Sequence, residues 1–468
     1  MRWSRRWPAR STPGAAEIVE PGRRPEPSGR RRRGALVAAF GLLAIGLGAC
    51  GGAVAGGARA TTLARTTGSP LVIADLAPFS GVDAALGPIY DASCLAATHA
   101  INRAGGVLGH PLTCATFDTR GDPADAVPAT RQMFATTPNL VLVIGVTSDE
   151  AAAVVPAINA RHVVVFGMTG QSEFDHIHFP YFFRLVPPDL EEAYALVAIA
   201  HFREHFHRIG VAFGNDIGSQ TFVQPALNAI RKGGMVVAGN ETLNLSASSY
   251  RTEAAKIIEA HPQVILTEAL GAADATFISE VRQLNHGKMI PIIGTSATIS
   301  PAWFKAVASA VGGSNLSRNF LADNLVIDTS GAAYRVFVRS MEAIKSQVTK
   351  VGVFSTLFSA PGAVHLYDGM NLASLAMVMS HSTKPSVYKA DILKIGDGVP
   401  GAVVVHSFAQ GLAELKAGKA IRYVGPGGPT NFDSYHDSTG IFQIDSYSPQ
   451  GVVRVVGNIP ASQLRALS

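Results

Sequence analysis

Residues 71–293 alternate short apolar runs with longer segments of helical periodicity, and this alternation constrains the fold more than any other feature of the sequence. The alternation restarts after residues 181–188, which end in two consecutive prolines. Short uninterrupted apolar runs are typical of buried parallel strands, which are joined by crossover helices. The pattern therefore predicts an α/β fold with two doubly wound, Rossmann-like lobes. Ligands bind beyond the carboxyl ends of such strands, so two facing lobes predict a ligand cleft between them.

The same periodicities predict the individual elements. Helices are expected over about 88–103, 123–136, 150–161, 191–206, 219–233, 252–260, 272–286 and 363–381, the last of these being Met-rich and expected in the core. Strands are expected over 71–76, 112–117, 140–145, 162–166, 208–213, 235–238, 264–267, 289–293, 440–445 and 452–456.

Positive charge is concentrated at the amino-terminal end of the chain. The formal net charge is +5, but residues 1–50 hold ten arginines against three glutamates, a net charge of +7. Residues 51–468 therefore carry −2. A weakly acidic body lacks the basic surface that nucleic acid requires, so we expect no nucleic-acid partner.

Residues 1–50 have the layout of an export signal. The arginines at 30–33 precede an uncharged apolar run over 34–47, which is short for a permanent membrane span. The run ends in Leu47-Gly48-Ala49-Cys50, which resembles the lipobox of bacterial lipoproteins. That resemblance implies that Cys50 is lipidated and anchors an extracytoplasmic protein to the membrane. The alternative is an ordinary cleavage site at small residues with an incidental cysteine.

Residues 51–69 are rich in Gly, Ala and Thr, and they predict a flexible linker. Apart from Cys50, the sequence contains only Cys94 and Cys114. Export places both in a compartment where disulfides persist, so we expect one bridge between them. The alternative is that both cysteines are small buried hydrophobic residues.

Five segments occur in an order that points to a family. They are Ala77-Pro-Phe-Ser-Gly81, Ile101-Asn-Arg-Ala-Gly-Gly-Val-Leu-Gly109, Asp118-Thr-Arg-Gly-Asp-Pro123, Leu142-Val-Ile-Gly145 and residues 425–445. Together they resemble the branched-chain amino acid type of periplasmic binding protein, with the type I binding fold, over about residues 70–460. The resemblance implies hinge closure over a small-molecule ligand and delivery of that ligand to the permease subunits of an ABC transporter.

The resemblance also implies how the chain is divided. Lobe 1 is expected to comprise residues 70–186 plus about 325–384, and lobe 2 residues 187–324 plus about 385–468, joined by a hinge of about three crossing segments. The predicted function is a lipid-anchored solute-binding protein that captures a small polar or amphipathic ligand for an ABC importer. The alternative is a bilobed ligand sensor that signals to a membrane partner.

The expected ligand contacts follow from the family's pocket positions. Loops 146–149 and 168–171 follow the third and fourth predicted strands, and in the family these loops bind the ligand's α-carboxylate and α-amino group. Free N–H groups at helix N-termini suit a carboxylate, although plain N-capping is an alternative role for Ser148 and Asp149. The expected ligand-binding residues are Ser80, Leu86, Ser148, Asp149, Met168, Thr169, Gly170, Gln171, Ile217, Leu270 and Ser296.

No motif in the sequence points to catalysis. A Walker P-loop, a G-x-S-x-G nucleophile elbow and an H-E-x-x-H zinc motif are all absent. His201 and His205 are four residues apart, but the sequence places no third zinc ligand beside them. We therefore expect neither an enzyme nor a cofactor nor a metal site.

Several pocket positions differ from those of relatives that bind leucine-like amino acids. Leu86, Ile217, Leu270 and Ser296 stand where those proteins have aromatic or acidic residues, and Ser296 removes the carboxylate that usually holds the ligand ammonium. Asp149 adds a negative charge beside the expected carboxylate site. An unpaired buried charge is costly, so we expect weak or no binding of leucine, isoleucine and valine, measured by titration calorimetry. Tight binding of any of the three would contradict this expectation.

Overall fold

The computed structural model describes residues 66–81, 83–349 and 351–468. The predicted export signal, Cys50 and most of the predicted linker lie outside the described residues. The described residues form an α/β fold, as the alternating pattern predicts. None of the helices in these ranges is both long and apolar enough to cross a membrane.

Fifteen strands are present in the described residues, and most follow the predicted positions. They are β1 (Leu71–Ala77), β2 (Leu112–Asp118), β3 (Leu140–Thr147), β4 (Val165–Met168), β5 (Phe182–Arg184), β6 (Arg208–Gly214), β7 (Val236–Leu243), β8 (Val264–Glu268), β9 (Ile292–Gly294), β10 (Phe320–Leu325), β11 (Val403–Val405), β12 (Ile421–Gly425), β13 (Gly428–Pro429), β14 (Phe442–Tyr447) and β15 (Val453–Ile459).

The α-helices of the described residues alternate with these strands in the first two thirds of the chain. They are α1 (Gly87–Arg103), α2 (Pro123–Thr136), α3 (Ser148–Ala160), α4 (Asp189–Ala198), α5 (Ile217–Lys232), α6 (Arg251–Glu259), α7 (Gly271–Leu284), α8 (Pro301–Val311), α9 (Gly313–Asn319), α10 (Ala332–Ile344), α11 (Pro361–Met379), α12 (Pro385–Asp397), α13 (Phe408–Lys416) and α14 (Ala461–Leu467).

The strands form two large sheets. The first has the order β2-β1-β3-β4-β5 and is parallel throughout. The second has the order β15-β14-β10-β9-β8-β6-β7, in which β14 and β15 are antiparallel additions to a parallel sheet. In both sheets the order reverses beside the first strand of the series, which is where a doubly wound sheet opens a crevice at its carboxyl edge.

Helix α11 is the central helix on one side of the first sheet. It is buried along almost its whole length, and Met370 and Met377 lie in the core, which confirms the predicted packing role of the Met-rich helix. Apolar side chains of α12, α13 and β12 join the same core, among them Tyr388, Phe408 and Tyr423. Residues 385–432 thus pack with the first sheet, whereas the expected division of the chain places them in lobe 2. Of the elements in residues 385–468, β14, β15 and α14 pack with the second sheet.

Two element boundaries differ from the predicted ones for visible backbone reasons. The strand expected from residue 162 begins at Val165, because His162 adopts a left-handed conformation (φ 57°) after α3. The helix expected over 191–206 leaves α-helical geometry at Ile199 and continues as a π-helical turn to Arg203. His205 then has φ 55°, so it does not lie one regular turn from His201.

Cys94 in α1 and Cys114 in β2 are joined by a disulfide that closes a short segment of the first sheet. Because the two residues are 20 apart in the chain, loop-closure entropy predicts that the bridge stabilises the fold by ~3 kcal/mol. We expect Cys94→Ala/Cys114→Ala to lower the free energy of unfolding by about this amount in urea titrations. An unchanged midpoint, with and without reductant, would indicate that the cysteines act only as small buried side chains.

Candidate functional site

A cavity of about 160 Å³ lies where the carboxyl ends of strands from the two sheets face each other. Thr147 ends β3, Met168 ends β4 and Glu268 ends β8, and all three line the cavity. Pro361, the first residue of α11, lines it from a third direction. The remaining walls are largely apolar and aromatic, formed by Leu86, Ile89, Tyr90, Val186, Phe222, Leu270 and Trp303.

The N-terminus of α3 presents its first residues to the cavity. The Thr147 N–H donates to Glu150 Oε1 (3.1 Å) and the Thr147 hydroxyl donates to Glu150 Oε2 (2.6 Å), which fixes the turn between β3 and α3. Burial raises the pKa of Glu150 to about 7, against the lowering effect of the Thr147 hydrogen bonds. The Ser148 hydroxyl donates to Thr169 Oγ1 (3.1 Å) and so joins the β3 and β4 loops.

One hydrogen bond connects the two sides of the cavity directly. The Gly218 N–H, in the first turn of α5, donates to Asp149 Oδ1 on α3 (3.0 Å). A Cβ atom built on Gly218 would lie 3.4 Å from Ser148 Cβ, so the two helix N-termini are in contact. Asp149 therefore places a negative charge at the positive end of α5, where helix N–H groups are otherwise unpaired.

Six carboxyl groups line the cavity, and among the described residues that line it there is no Lys, Arg or His. They come from the β1–α1 loop, α3, α4, the β6–α5 loop and the end of β8. They are Asp83, Asp149, Asp189, Glu192, Asp216 and Glu268. The described residues contain no group of three or more His, Cys, Asp or Glu side chains that could hold a metal ion.

Burial is the main cause of the pKa shifts in this acidic group. It raises the pKa of Asp189 to about 8 and that of Glu268 well above its ordinary value, and neighbouring carboxylates add to both shifts. Burial, with Asp149 and Asp216 nearby, raises the pKa of Asp83 to about 10. Hydrogen bonds to Asp189 from Thr221, and to Glu268 from Thr295, oppose the rise without cancelling it. At neutral pH the unliganded cavity therefore holds protons on part of its carboxyl groups.

Seven of the eleven residues expected to bind ligand line this one cavity. Five of these seven residues are in the first half of the chain and lie at or just after the ends of β1, β3 and β4. The other two are in the second half of the chain and follow β8 and β9. The seven residues are Leu86, Ser148, Asp149, Met168, Gly170, Leu270 and Ser296.

The other four expected residues do not line the cavity. The Ser80 hydroxyl donates to Asp118 Oδ2, so Ser80 serves the β1–β2 edge of the first sheet. Thr169 is fully buried beneath Ser148, and the Gln171 carbonyl accepts from the guanidinium of Arg184 (3.1 Å). Ile217 is the first residue of α5, and its side chain is 47% exposed to solvent and does not line the cavity.

Five of the six carboxyl groups are absent from the sequence-based set of contacts. Asp216 and Glu268 could have been found, because Glu268 directly follows the predicted strand 264–267 and Asp216 lies in the loop after the predicted strand 208–213. Glu192 offers no such signal, since it reaches the cavity from the first turn of α4, where its Oε1 accepts from the Ser296 N–H (2.7 Å). Ser296 lines the cavity, and α4 and β8 supply carboxyl groups to the same cavity.

The raised pKa values predict how stability depends on pH. The native state holds the Asp189 proton up to about pH 8, whereas the unfolded chain releases it near pH 4, so the unfolded state binds fewer protons in this range. The free energy of unfolding should therefore fall between pH 6.5 and 8, with Asp189 contributing up to ~1 kcal/mol per pH unit. Burial lowers the pKa of His365 to about 4, so this group makes the free energy of unfolding rise with pH, but only below about pH 6.5.

We expect Asp189→Asn to flatten this slope in denaturant titrations performed across the pH range. Asp328→Asn is the matched control, because hydrogen bonds from Ser330 lower the pKa of this exposed carboxyl and keep it ionised throughout. If the free energy of unfolding depends on pH equally in the two variants, Asp189 is not the group that holds the proton in the native state.

Comparison with known proteins agrees with this architecture. A family model described as periplasmic binding protein matches residues 70–357. The isoleucine complex of LivJ, the substrate-binding protein of a branched-chain amino acid transporter from Streptococcus pneumoniae, is 15% identical, with a TM-score of 0.66 over 83% of this chain and 99% of that one. No curated protein is significantly similar in sequence.

Two further solved structures have the same fold. The leucine-binding protein LivK from Thermotoga maritima is 16% identical, with a TM-score of 0.66 over 84% of this chain and 99% of that one. A fatty acid ABC transporter substrate-binding protein from Thermomonospora curvata is 14% identical, with a TM-score of 0.66 over 86% and 95%. Given the family match over most of the described residues and these shared folds, the chain belongs to the periplasmic binding protein family and has the type I periplasmic binding fold.

Proposed function

We propose that the protein is an extracytoplasmic, lipid-anchored solute-binding protein that captures a small polar or amphipathic ligand by hinge closure and delivers it to the permease subunits of an ABC importer. The observation that carries the proposal is the cavity whose walls come from the carboxyl ends of both sheets. A ligand held there contacts both sides at once, so it favours the arrangement in which the sides are close.

The contact between α3 and α5 supports closure as the binding step. The Gly218 N–H donates to Asp149, and this hydrogen bond can exist only while the two helix N-termini face each other. A single hydrogen bond contributes about 1 kcal/mol, which leaves the balance between open and closed forms within reach of a ligand's binding energy. The hinge therefore acts as a switch that the ligand sets.

The proposed membrane anchor and the proposed extracytoplasmic location are inferred from the sequence. Periplasmic binding proteins act outside the cytoplasm, and Leu47-Gly48-Ala49-Cys50 supplies the acylation site that would keep this one at the membrane. The linker after Cys50 would give the folded part the reach to meet a permease in the same membrane. Radiolabelled palmitate incorporation into the wild type, and its loss in Cys50→Ala, tests this part of the proposal.

Binding without turnover is the expected chemistry. The solved structures that share the fold are solute-binding proteins of transporters, which favours a binding protein over an enzyme. The carboxyl groups of the cavity are tied to hydroxyl and N–H donors of the protein itself, as Glu268 is to Thr295 and Glu192 to Ser296. They are thus placed to hold a ligand in one orientation.

A disulfide staple tests hinge closure without knowledge of the ligand. The Ser148 and Gly218 Cβ positions are 3.4 Å apart, close to the separation found in disulfides, so Ser148→Cys/Gly218→Cys should form a bridge on oxidation. We expect small-angle X-ray scattering to give a smaller radius of gyration for the oxidised variant than for the same protein after mild reduction. Ser148→Cys alone is the control, with no change on reduction. Identical scattering curves for the oxidised and reduced double variant would contradict a hinge.

A further inference from the structure

We propose, on the basis of the function above, that the ligand is a small organic cation: an ammonium or guanidinium compound with an apolar body and no carboxylate group. The family's amino acid ligands are zwitterions, which need donors for a carboxylate as well as acceptors for an ammonium. The cavity of this protein offers acceptors in excess, and several of its donors are already in use.

The charge of the cavity is one-sided. Asp189, Glu192, Asp216 and Glu268 approach from the second sheet's side, and Asp83 and Asp149 from the first. Among the lining residues that the structure describes there is no basic side chain to balance them. Carboxylates removed from water are costly unless a cation pairs with them, so a cationic ligand relieves a cost that a neutral or anionic ligand leaves in place.

Four N–H donors at the cavity are occupied by the protein's own carboxyl groups. The Gly218 N–H donates to Asp149 (3.0 Å), and the Ser296 N–H donates to Glu192 (2.7 Å). In the same way the Thr147 N–H donates to Glu150 and the Ala269 N–H to Asp274. All four N–H groups belong to residues that line the cavity. A ligand carboxylate would have to displace an internal one and would then face its charge.

Two carboxyl groups in direct contact give a second sign that the cavity lacks a cation. Asp83 lines the cavity and is 3% exposed, and its carboxyl group shares a side-chain hydrogen bond with that of Asp149, with no basic side chain among the lining residues. Asp216 is partly buried, and its Oδ2 has no hydrogen-bond partner among the described residues, while its Oδ1 accepts from the Ser219 N–H (2.7 Å). Buried acceptors are rarely left unpaired, and an ammonium supplies three donors and a guanidinium five.

The aromatic and aliphatic walls of the cavity predict the size and the apolar character of the uncharged part of the ligand. Tyr90, Phe222 and Trp303 bring aromatic rings to it, and Leu86, Met168 and Leu270 bring aliphatic surface. A metal ion prefers oxygen ligands on all sides, whereas an organic cation uses both kinds of wall, and its charge is attracted to aromatic faces. A volume of about 160 Å³ is close to that of a cavity that holds benzene, so the ligand has about six to ten non-hydrogen atoms.

A matched series of compounds separates the charge classes. The probes are 3-methylbutylamine, leucine, 4-methylpentanoate and 3-methylbutanol, which share a branched skeleton and differ in charge, together with agmatine as a guanidinium compound. In thermal-shift and calorimetric titrations we expect the amine or agmatine to bind at least about tenfold more tightly than leucine, with the acid and the alcohol weaker still. Tighter binding of leucine or of the acid overturns the proposal.

Glu268→Gln tests whether the carboxylate carries the recognition. Glutamine has nearly the same shape and can still accept from Thr295, so the fold is preserved while the carboxyl group that could ionise beside a cation is lost. We expect at least about a tenfold loss of affinity for the cation that binds. Glu342→Gln on α10 is the control, because it removes the same charge from an exposed side chain far along the chain from the cavity. Equal affinities in the two variants would overturn the assignment.

The disulfide staple keeps this proposal separate from the function it rests on. If Ser148→Cys/Gly218→Cys reports hinge closure but no cation of the series binds, the cation assignment fails and the solute-binding function stands. If the protein neither closes nor binds any compound of the series, the proposed function itself fails.

Discussion

The burial of several carboxyl groups around one cavity, with no basic side chain among the described residues that line it, is the constraint on which the site depends. Three of the groups are held by a donor from a neighbouring element: Asp189 by Thr221, Glu268 by Thr295 and Glu192 by the Ser296 N–H. These hydrogen bonds fix the positions of the carboxyl groups but leave their mutual repulsion. Burial raises the pKa values of Asp189, Glu192 and Glu268, and neighbouring carboxylates add to the rise at Asp189 and Glu268, so protonation relieves part of that repulsion.

Doubly wound topology explains how groups so distant in sequence come together. Each right-handed crossover brings the chain back to begin the next strand in the same direction. The carboxyl ends of the parallel strands, and the loops that follow them, therefore lie at one edge of the sheet. Thr147, Glu268 and Ser296 are separated along the chain by β-strands and helices, yet all lie at such edges. The two sheets place these edges on opposite sides of the cavity, and the Asp149–Gly218 hydrogen bond joins the helices α3 and α5 that follow them.

Most of the fold could be predicted because its signals are local, whereas the charge of the site could not. Apolar runs marked β1 and β8 to within a residue or two, and Asp122-Pro123 marked the start of α2. The two helix starts at the cavity are less sharply marked, and α3 and α5 each begin two residues before the predicted position. A two-residue error in the start changes the expected direction of a side chain by more than half a turn, so the sequence did not show that Ile217 is exposed. The position of Glu192 could not be predicted from the sequence, because it depends on how α4 packs against α5 and β10 and thereby brings Glu192 to the Ser296 N–H, and not on any spacing in the chain.

Protonation of the buried carboxyl groups allows both a stable empty cavity and a charged site for a ligand. An empty cavity with every carboxyl group ionised would oppose folding and closure, while a cavity without acids would have no charge with which to select a ligand. On the proposed cation assignment, Asp189, whose pKa burial raises to about 8, would exchange its proton for the bound cation. Ligand binding and proton release at this carboxyl group would then be linked, so the same side chain could be neutral in the empty site and charged in the occupied one.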